Sequence, residues 1–242
     1  MGQFILLLAA LASLHLTASE NQKKQKDELT SRFILQDDPR VQFLAGMELR
    51  NSCWSRPYEY AWTLQFADES ATVLDAACGV SHPFKWEIGQ RCQSAWAIDS
   101  DPRIANLEAI IQETYDDLGK NAYAILTNSL HFYHDMHIVQ GSIFALPKEM
   151  PQFDRIFCIS VFEHLYKEER KKALQEFAEH LAEDGLLILT VDYPEITPEV
   201  LIKLASDAGL VPAGDVSLEL PKNRLTDGYL SIYRAVFKHK TK

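Results

Sequence analysis

The stretch Val73-Leu74-Asp75-Ala76-Ala77-Cys78-Gly79-Val80-Ser81 is an apolar run that stops at a carboxylate and breaks into small residues. Residues with little or no side chain let a ligand approach the backbone, and the run before them has the pattern of a buried parallel strand. A second carboxylate, Asp99, closes the apolar run from Ser94 to Ile98. A carboxylate accepts from two vicinal hydroxyls at once, and an acid about twenty residues past such a loop suits a ribose. Farther on, Glu163 and His164 follow the run from Phe153 to Ser160. An imidazole titrates near neutrality and can remove a substrate proton while the adjacent carboxylate orients it. Both side chains equally suit the capping or support of the next helix.

The elements that must position these residues alternate along the chain. Thr72 to Asp75, Ser94 to Ile98, His137 to Gln140, Phe153 to Ser160 and Leu186 to Val191 read as buried strands. A helix is expected from Pro83 to Arg91. A second starts with Asp101 as N-cap and Pro102 at N1 and runs to Gly119, with Ile104, Leu107, Ile111, Tyr115 and Leu118 at helical spacing. A charged helix begins near Lys167, buries Ala173, Leu174, Phe177, Ala178 and Leu181, and is closed by Gly185. Thr197 and Pro198 start a last helix that ends at Gly209. Val211 to Ser217 and Leu230 to Lys238 are then strands joined without a helix, so they should pair antiparallel at the sheet edge. Residues 120–136 read as an insertion with no assignable structure. Alternation of this kind implies an α/β fold, a doubly wound, mostly parallel sheet.

Ahead of the first strand, Asp37 to Asp68 carries Trp54, Tyr58, Tyr60, Trp62 and Phe66 among charged residues, and reads as two short helices that cap the sheet. Three regions follow: an apolar segment and polar linker at 1–31, a helical cap or lid at 32–70, and the main domain at 71–242. Tyr58, Tyr60 and Trp62 are candidates to line an acceptor pocket from the cap, with ordinary core packing as the alternative.

Composition narrows the partners. The 242 residues are 47% hydrophobic and carry a net charge of −10, enough to bury one full core and opposed to gripping nucleic acid through its phosphates. The four cysteines, Cys53, Cys78, Cys92 and Cys158, are dispersed and read as free thiols in a reducing compartment. His131, His134 and His137 do not share a helical face, and an extended chain would scatter them, so no metal is expected. Phe4 to Leu16 is apolar and Thr17-Ala18-Ser19 resembles a cleavage site, yet no basic residue precedes the run and Lys23, Lys24 and Lys26 follow it. A cytoplasmic location is therefore expected, with a signal peptide at residues 1–19 as the alternative and membrane association through residues 4–16 not favoured. The sequence leaves the oligomeric state open.

Four ordered motifs resemble those of class I S-adenosyl-L-methionine (SAM)-dependent methyltransferases of the small-molecule type, over roughly residues 70–238. "VLDAACGVS" is similar to the family's glycine-rich loop, which implies that Asp75, Ala77, Cys78 and Gly79 lie beside the methionine part of SAM. "AIDSDP" implies Asp99 as the ribose ligand. "QGSIFALP" is similar to the family's adenine-binding stretch, with Ser142 where the family has an acid and Ile143 as the ring's apolar wall. "FDRIFCISVFEHL" is similar to the segment after the fourth strand, which places Ile159, Ser160 and Val161 near the cofactor and makes His164 the candidate base. The resemblance implies a Rossmann-like methyltransferase fold with a seven-stranded sheet and an antiparallel C-terminal edge strand. It also implies methyl transfer to a small-molecule acceptor by in-line displacement. The competing expectation is a non-catalytic SAM-binding or methyltransferase-like interaction module.

Overall fold

The computed structural model describes residues 27–50 and 54–240. The apolar run at 4–16, the cleavage-like site and Cys53 lie outside the described residues. In chain order the elements are β1 (Arg32–Phe33), β2 (Phe43–Leu44), β3 (Met47–Glu48), α1 (Arg56–Thr63), β4 (Thr72–Ala76), α2 (Phe84–Arg91), β5 (Ser94–Asp99) and α3 (Leu107–Leu118). There follow α4 (Lys120–Asn128), α5 (His131–His134), β6 (Met136–Gln140), β7 (Phe153–Ile159), α6 (Lys167–His180), β8 (Leu181–Tyr193) and α7 (Pro198–Asp207). The chain closes with β9 (Leu210–Pro212), β10 (Thr226–Asp227) and β11 (Leu230–His239).

The sheet is organised around β4. Parallel strands run in the order β6-β5-β4-β7-β8, and β11 joins β8 antiparallel. The seventh position, the outer edge of β11, is shared by three short antiparallel pieces, β9, β1 and β10. Because β5 and β7 flank β4 and lie on opposite sides of it, the order reverses there, and the carboxyl ends of these strands open a crevice.

Side chains alternate across the sheet with period two. Val73, Phe157 and Ile188 face one core with Phe84, Trp86 and Ile88 of α2, Ile110 of α3 and Leu126 of α4. Leu74, Ala76, Ile156, Cys158 and Leu189 face the other with Leu174 and Phe177 of α6 and Leu201 of α7. Both faces are thus covered, as a doubly wound sheet requires.

Several local expectations need correction. The cap holds one helix, α1, continued by a 3₁₀ turn at Leu64–Phe66, and a hairpin, β2–β3, instead of a first helix. Ala45 and Gly46 both take positive φ, 48° and 78°, the backbone that a two-residue hairpin turn demands. The segment ahead of the cap helix also joins the sheet, since Arg32 and Phe33 pair with Arg234 and Tyr233.

The long helix after Asp101 is two pieces. Asp101 caps a 3₁₀ turn at Pro102–Ala105, and Asn106 leaves the helical region to cap α3 through its side chain, which accepts from the Ala109 amide. Its local hydrogen bond competes with helix continuation. Gly185 does not close α6, which ends at His180; it lies in β8, within the irregular stretch between the pairs Phe153–Leu181 and Arg155–Leu186. A Cβ there would approach the Ala182 carbonyl to 2.9 Å. Residues 120–136 are mostly helical, as α4 and α5. The strand expected at Val211 to Ser217 ends at Pro212. No helix among the described residues is long and apolar enough to cross a membrane.

Candidate cofactor and acceptor site

At the carboxyl end of β4 the chain turns sharply, with Ala77 at φ 59° and Gly79 at φ 63°. Position 79 admits only glycine, because a Cβ would stand 2.3 Å from Cδ2 of His82. The Gly79 amide donates to Oδ2 of Asp99 over 2.7 Å, and the Asp101 amide donates to Oδ1 over 2.9 Å. Each carboxylate oxygen keeps a second lone pair, so Asp99 can hold the loop and still accept from hydroxyls.

Lys85 of α2 is fully buried beneath this loop. Its Nζ donates to the carbonyls of Gly79 at 2.7 Å and His82 at 2.6 Å, while burial lowers its pKa. Asp75 is buried as well, and its Oδ2 has no hydrogen-bond partner among the described residues. Burial pushes its carboxyl up to about 7, with Lys85 opposing the rise and Asp99 adding to it. Burial likewise raises the Cys78 thiol. The Ser81 hydroxyl donates to the Asp117 carboxylate, so this side chain serves the loop's attachment to α3.

The cap reaches the sheet through one buried acid. Oε2 of Glu59 accepts from the Ser160 hydroxyl at 2.6 Å and the Thr190 hydroxyl at 2.5 Å, and Oε1 pairs with Arg56 at 2.8 Å. Burial opposes its charge, but Arg56 and the hydroxyls of Ser160, Ser55 and Thr190 hold the carboxyl below the ordinary glutamate range. Ser160 sits at φ 46°, just past the end of β7. From the same helix, the Tyr60 ring stacks on Phe84 at 5.3 Å and its hydroxyl lies 3.2 Å from Nδ1 of His82. Burial, with Arg56 and Lys85 adding to it, pushes His82 down to about 4, so its ring is neutral.

Two cavities meet here. The first, about 270 Å³, lies over the loop and is lined by Asp75, Ala77, Cys78, Gly79 and Asp99, with Ile159 and Val161 opposite. The second, about 200 Å³, is lined by Trp54, Ser55, His164 and Asp192. Arg56, His82 and Ser160 border both.

The sequence-derived residues divide accordingly. Asp75, Ala77, Cys78, Gly79, Asp99 and Ser160 line the first cavity. Ser142 and Ile143 do not: Ser142 accepts from the Phe144 amide at 3.3 Å and Ile143 is buried in the core, although the neighbouring Gly141 amide donates to the Asp99 carbonyl. Only Tyr60 of the aromatic trio reaches the cleft. Tyr58 packs with Trp54 around Ile34, Leu225 and Ile232, and Trp62 is buried, donating to the Glu28 carbonyl. Positions two apart on a helix face different ways, so the three could not share one wall.

His164 is exposed at the rim of the second cavity, and Glu163 does not orient it. The Glu163 carboxyl is buried with neither oxygen hydrogen-bonded to any described residue, and burial pushes it up to about 8. Among the described residues no group of three or more potential ligands is placed to hold a metal. His137 stacks on Trp96 and His131 packs edge-on to Phe132. Cys78, Cys92 and Cys158 are free.

Sequence reading missed Arg56, Glu59, His82, Lys85, Thr190 and Asp192. Two carried a signal: Lys85 stands between Phe84 and Trp86, and Glu59 between Tyr58 and Tyr60, each a charge inside an apolar stretch. A buried charge in such a place must find partners.

Residues 74–189 match the family model described as a methyltransferase domain. No curated protein matches the chain. Among solved structures, a TehB-like SAM-dependent methyltransferase from Corynebacterium glutamicum is 18% identical, with a TM-score of 0.51 over 75% of this chain and 87% of that one. The N-methyltransferase NodS from Bradyrhizobium japonicum, in complex with S-adenosyl-L-homocysteine (SAH), is 13% identical, with a TM-score of 0.54 over 77% and 88%. A SAM-dependent methyltransferase from Clostridium acetobutylicum is 12% identical, with a TM-score of 0.53 over 80% and 93%. These likenesses are of fold.

Proposed function

We propose that the protein is a class I, SAM-dependent methyltransferase, the reading that the methyltransferase-domain match over residues 74–189 supports, and that it moves a methyl group to a small-molecule acceptor by in-line displacement. The observation that carries the reading is the shared wall. A cleft at the switch point of the sheet opens, past Arg56, His82 and Ser160, onto a second cavity of small-molecule size.

The residues present fit the cofactor. Gly79 leaves room where any side chain would collide with His82, Asp99 keeps lone pairs for vicinal hydroxyls, and Asp75 offers an unpartnered buried oxygen to a cationic group. SAM, when bound, supplies a methyl group made electrophilic by its positively charged sulfur. Everything else falls to the chain. Asp99 and the Gly79 turn hold and orient, Tyr60 and Phe84 exclude water, and the Glu59 network fixes the cap against Ser160. Alignment of this kind replaces a bimolecular encounter with a positioned one.

The test has two stages. Calorimetry with SAH checks binding, and a mixed panel of small nucleophiles incubated with methyl-labelled SAM checks transfer. Binding without transfer to any acceptor would favour a non-catalytic module, and absence of binding would remove both readings.

A further inference from the structure

The second cavity is unevenly charged. Its one guanidinium, Arg56, is already engaged by Glu59 at 2.8 Å, and its shared imidazole, His82, is neutral. Asp192, at the end of β8, is half-buried and its carboxylate makes no hydrogen bond or ion pair among the described residues. Behind it lies Glu163, whose two carboxyl oxygens are buried and unpartnered. Glu59, Asp192 and Glu163 thus stand around Arg56, Arg170 reaches the backbone carbonyl of Glu163, and no lysine among the described residues lines the cavity. Trp54 adds an aromatic surface to the same wall.

An anionic acceptor would meet Asp192 with no lysine or second arginine in the cavity wall to offset it, His164 standing exposed at the rim. An ammonium group would instead bring the missing charge, paired with a carboxylate beside an aromatic ring, which is a favourable setting for a cation. Resting on the methyltransferase reading, we propose that the acceptor is an amine, bound as its ammonium ion by Asp192 and Trp54, and that Asp192 takes the proton that frees its lone pair.

The step balances. Asp192 accepts one proton from the ammonium group and passes it to water. The nitrogen lone pair then forms the N–C bond as the C–S bond breaks, the electron pair of that bond stays on sulfur, and the positive charge moves to nitrogen. Burial, together with Glu59, raises the Asp192 carboxyl above its usual range, with Arg56 and His164 opposing and Glu195 adding, which suits it to receive a proton.

The experiment uses the full chain loaded with SAH and three probes of one shape and different charge: benzylammonium, benzyl alcohol and phenylacetate. Tryptophan fluorescence should report benzylammonium binding at least about tenfold tighter than phenylacetate, a gap that Asp192→Asn closes. In turnover with SAM, amines should be methylated, and Asp192→Asn should lower kcat/KM for them by about a hundredfold or more while SAH affinity stays unchanged. Asparagine keeps the shape of a side chain that has no partners, and thermal unfolding of the variant checks its fold. Phenylacetate bound as tightly as benzylammonium, methyl transfer to phenols or carboxylates but not to amines, or unchanged amine turnover in the variant would each overturn the proposal. A chain that binds no SAH would instead overturn the methyltransferase reading on which it rests.

Discussion

The Gly79 amide and the Asp99 carboxylate, 2.7 Å apart, tie the turn after β4 to the end of β5. The residue proposed as the ligand of the cofactor's hydroxyls therefore also holds the loop proposed to receive the rest of the molecule. Asp99→Ala should raise the SAH dissociation constant about tenfold or more, the scale of a lost charged hydrogen bond. Calorimetry reads it directly, and an unchanged constant would remove Asp99 as a ligand.

Lys85 supports the same loop from below. In Lys85→Met the carbonyls of Gly79 and His82 lose their donor, which should destabilise the chain by about 1–3 kcal/mol. Urea unfolding measures that loss. A weaker SAH affinity in the folded variant should accompany it, since the carbonyls that Lys85 holds belong to the turn itself.

Glu59→Ala leaves the half-buried Arg56 without its counter-charge, and the expected loss of stability is about 2–4 kcal/mol, below that of a fully buried pair because Arg56 keeps some solvent. The acid limb of the stability profile should change as well. A carboxyl held below its ordinary range contributes stability that is complete above the unfolded value, about 4.3. That contribution is lost as pH falls through the folded value. Urea midpoints measured from pH 7 downward should fall less steeply in the variant than in the wild type.

Glu163 behaves in the opposite sense. Its carboxyl is raised to about 8, so below the unfolded pKa its protonation adds no penalty. As pH rises toward 8, the unfolded chain is ionised while the folded one is not, and stability is lost. Glu163→Gln should therefore gain on the wild type with rising pH, at a slope of up to about 1.4 kcal/mol per pH unit. Parallel pH profiles of the two proteins would show that the Glu163 carboxyl is not perturbed.

How much of this was legible in the sequence depends on the range of the interaction. Apolar strands that carry an acid at or next to their end, Asp75 before Ala76 in β4 and Asp99 in β5, are local patterns, and so are the N-caps Asp101 and Thr197. Asn106 splitting a helix was hidden because its apolar spacing continues across the break. The Gly185 misplacement has the same cause, since a glycine after an amphipathic run looks like a helix stop whether or not the chain has already become a strand. Glu59 meeting Ser160 and Thr190 was out of reach, because these residues come together only when the cap is laid over two separate strands. The stretch matched to adenine binding shows the limit of motif matching: the turn is tied to Asp99 through Gly141, yet the Ser142 hydroxyl accepts from the Phe144 amide.

The seat of β1 on the outer edge of β11 also sets a schedule. Arg32 and Phe33 find their partners only when Arg234 and Tyr233 exist, about two hundred residues later in synthesis, and a closure that long is slow as well as late. The parallel centre of the sheet can form from residues already made, whereas β1 must wait for the C-terminal strand. A ribosome-bound chain stalled before β11 would then expose the cleft beside β4 while the N-terminal strand is still undocked, and protease protection of the cap should appear only after β11 emerges.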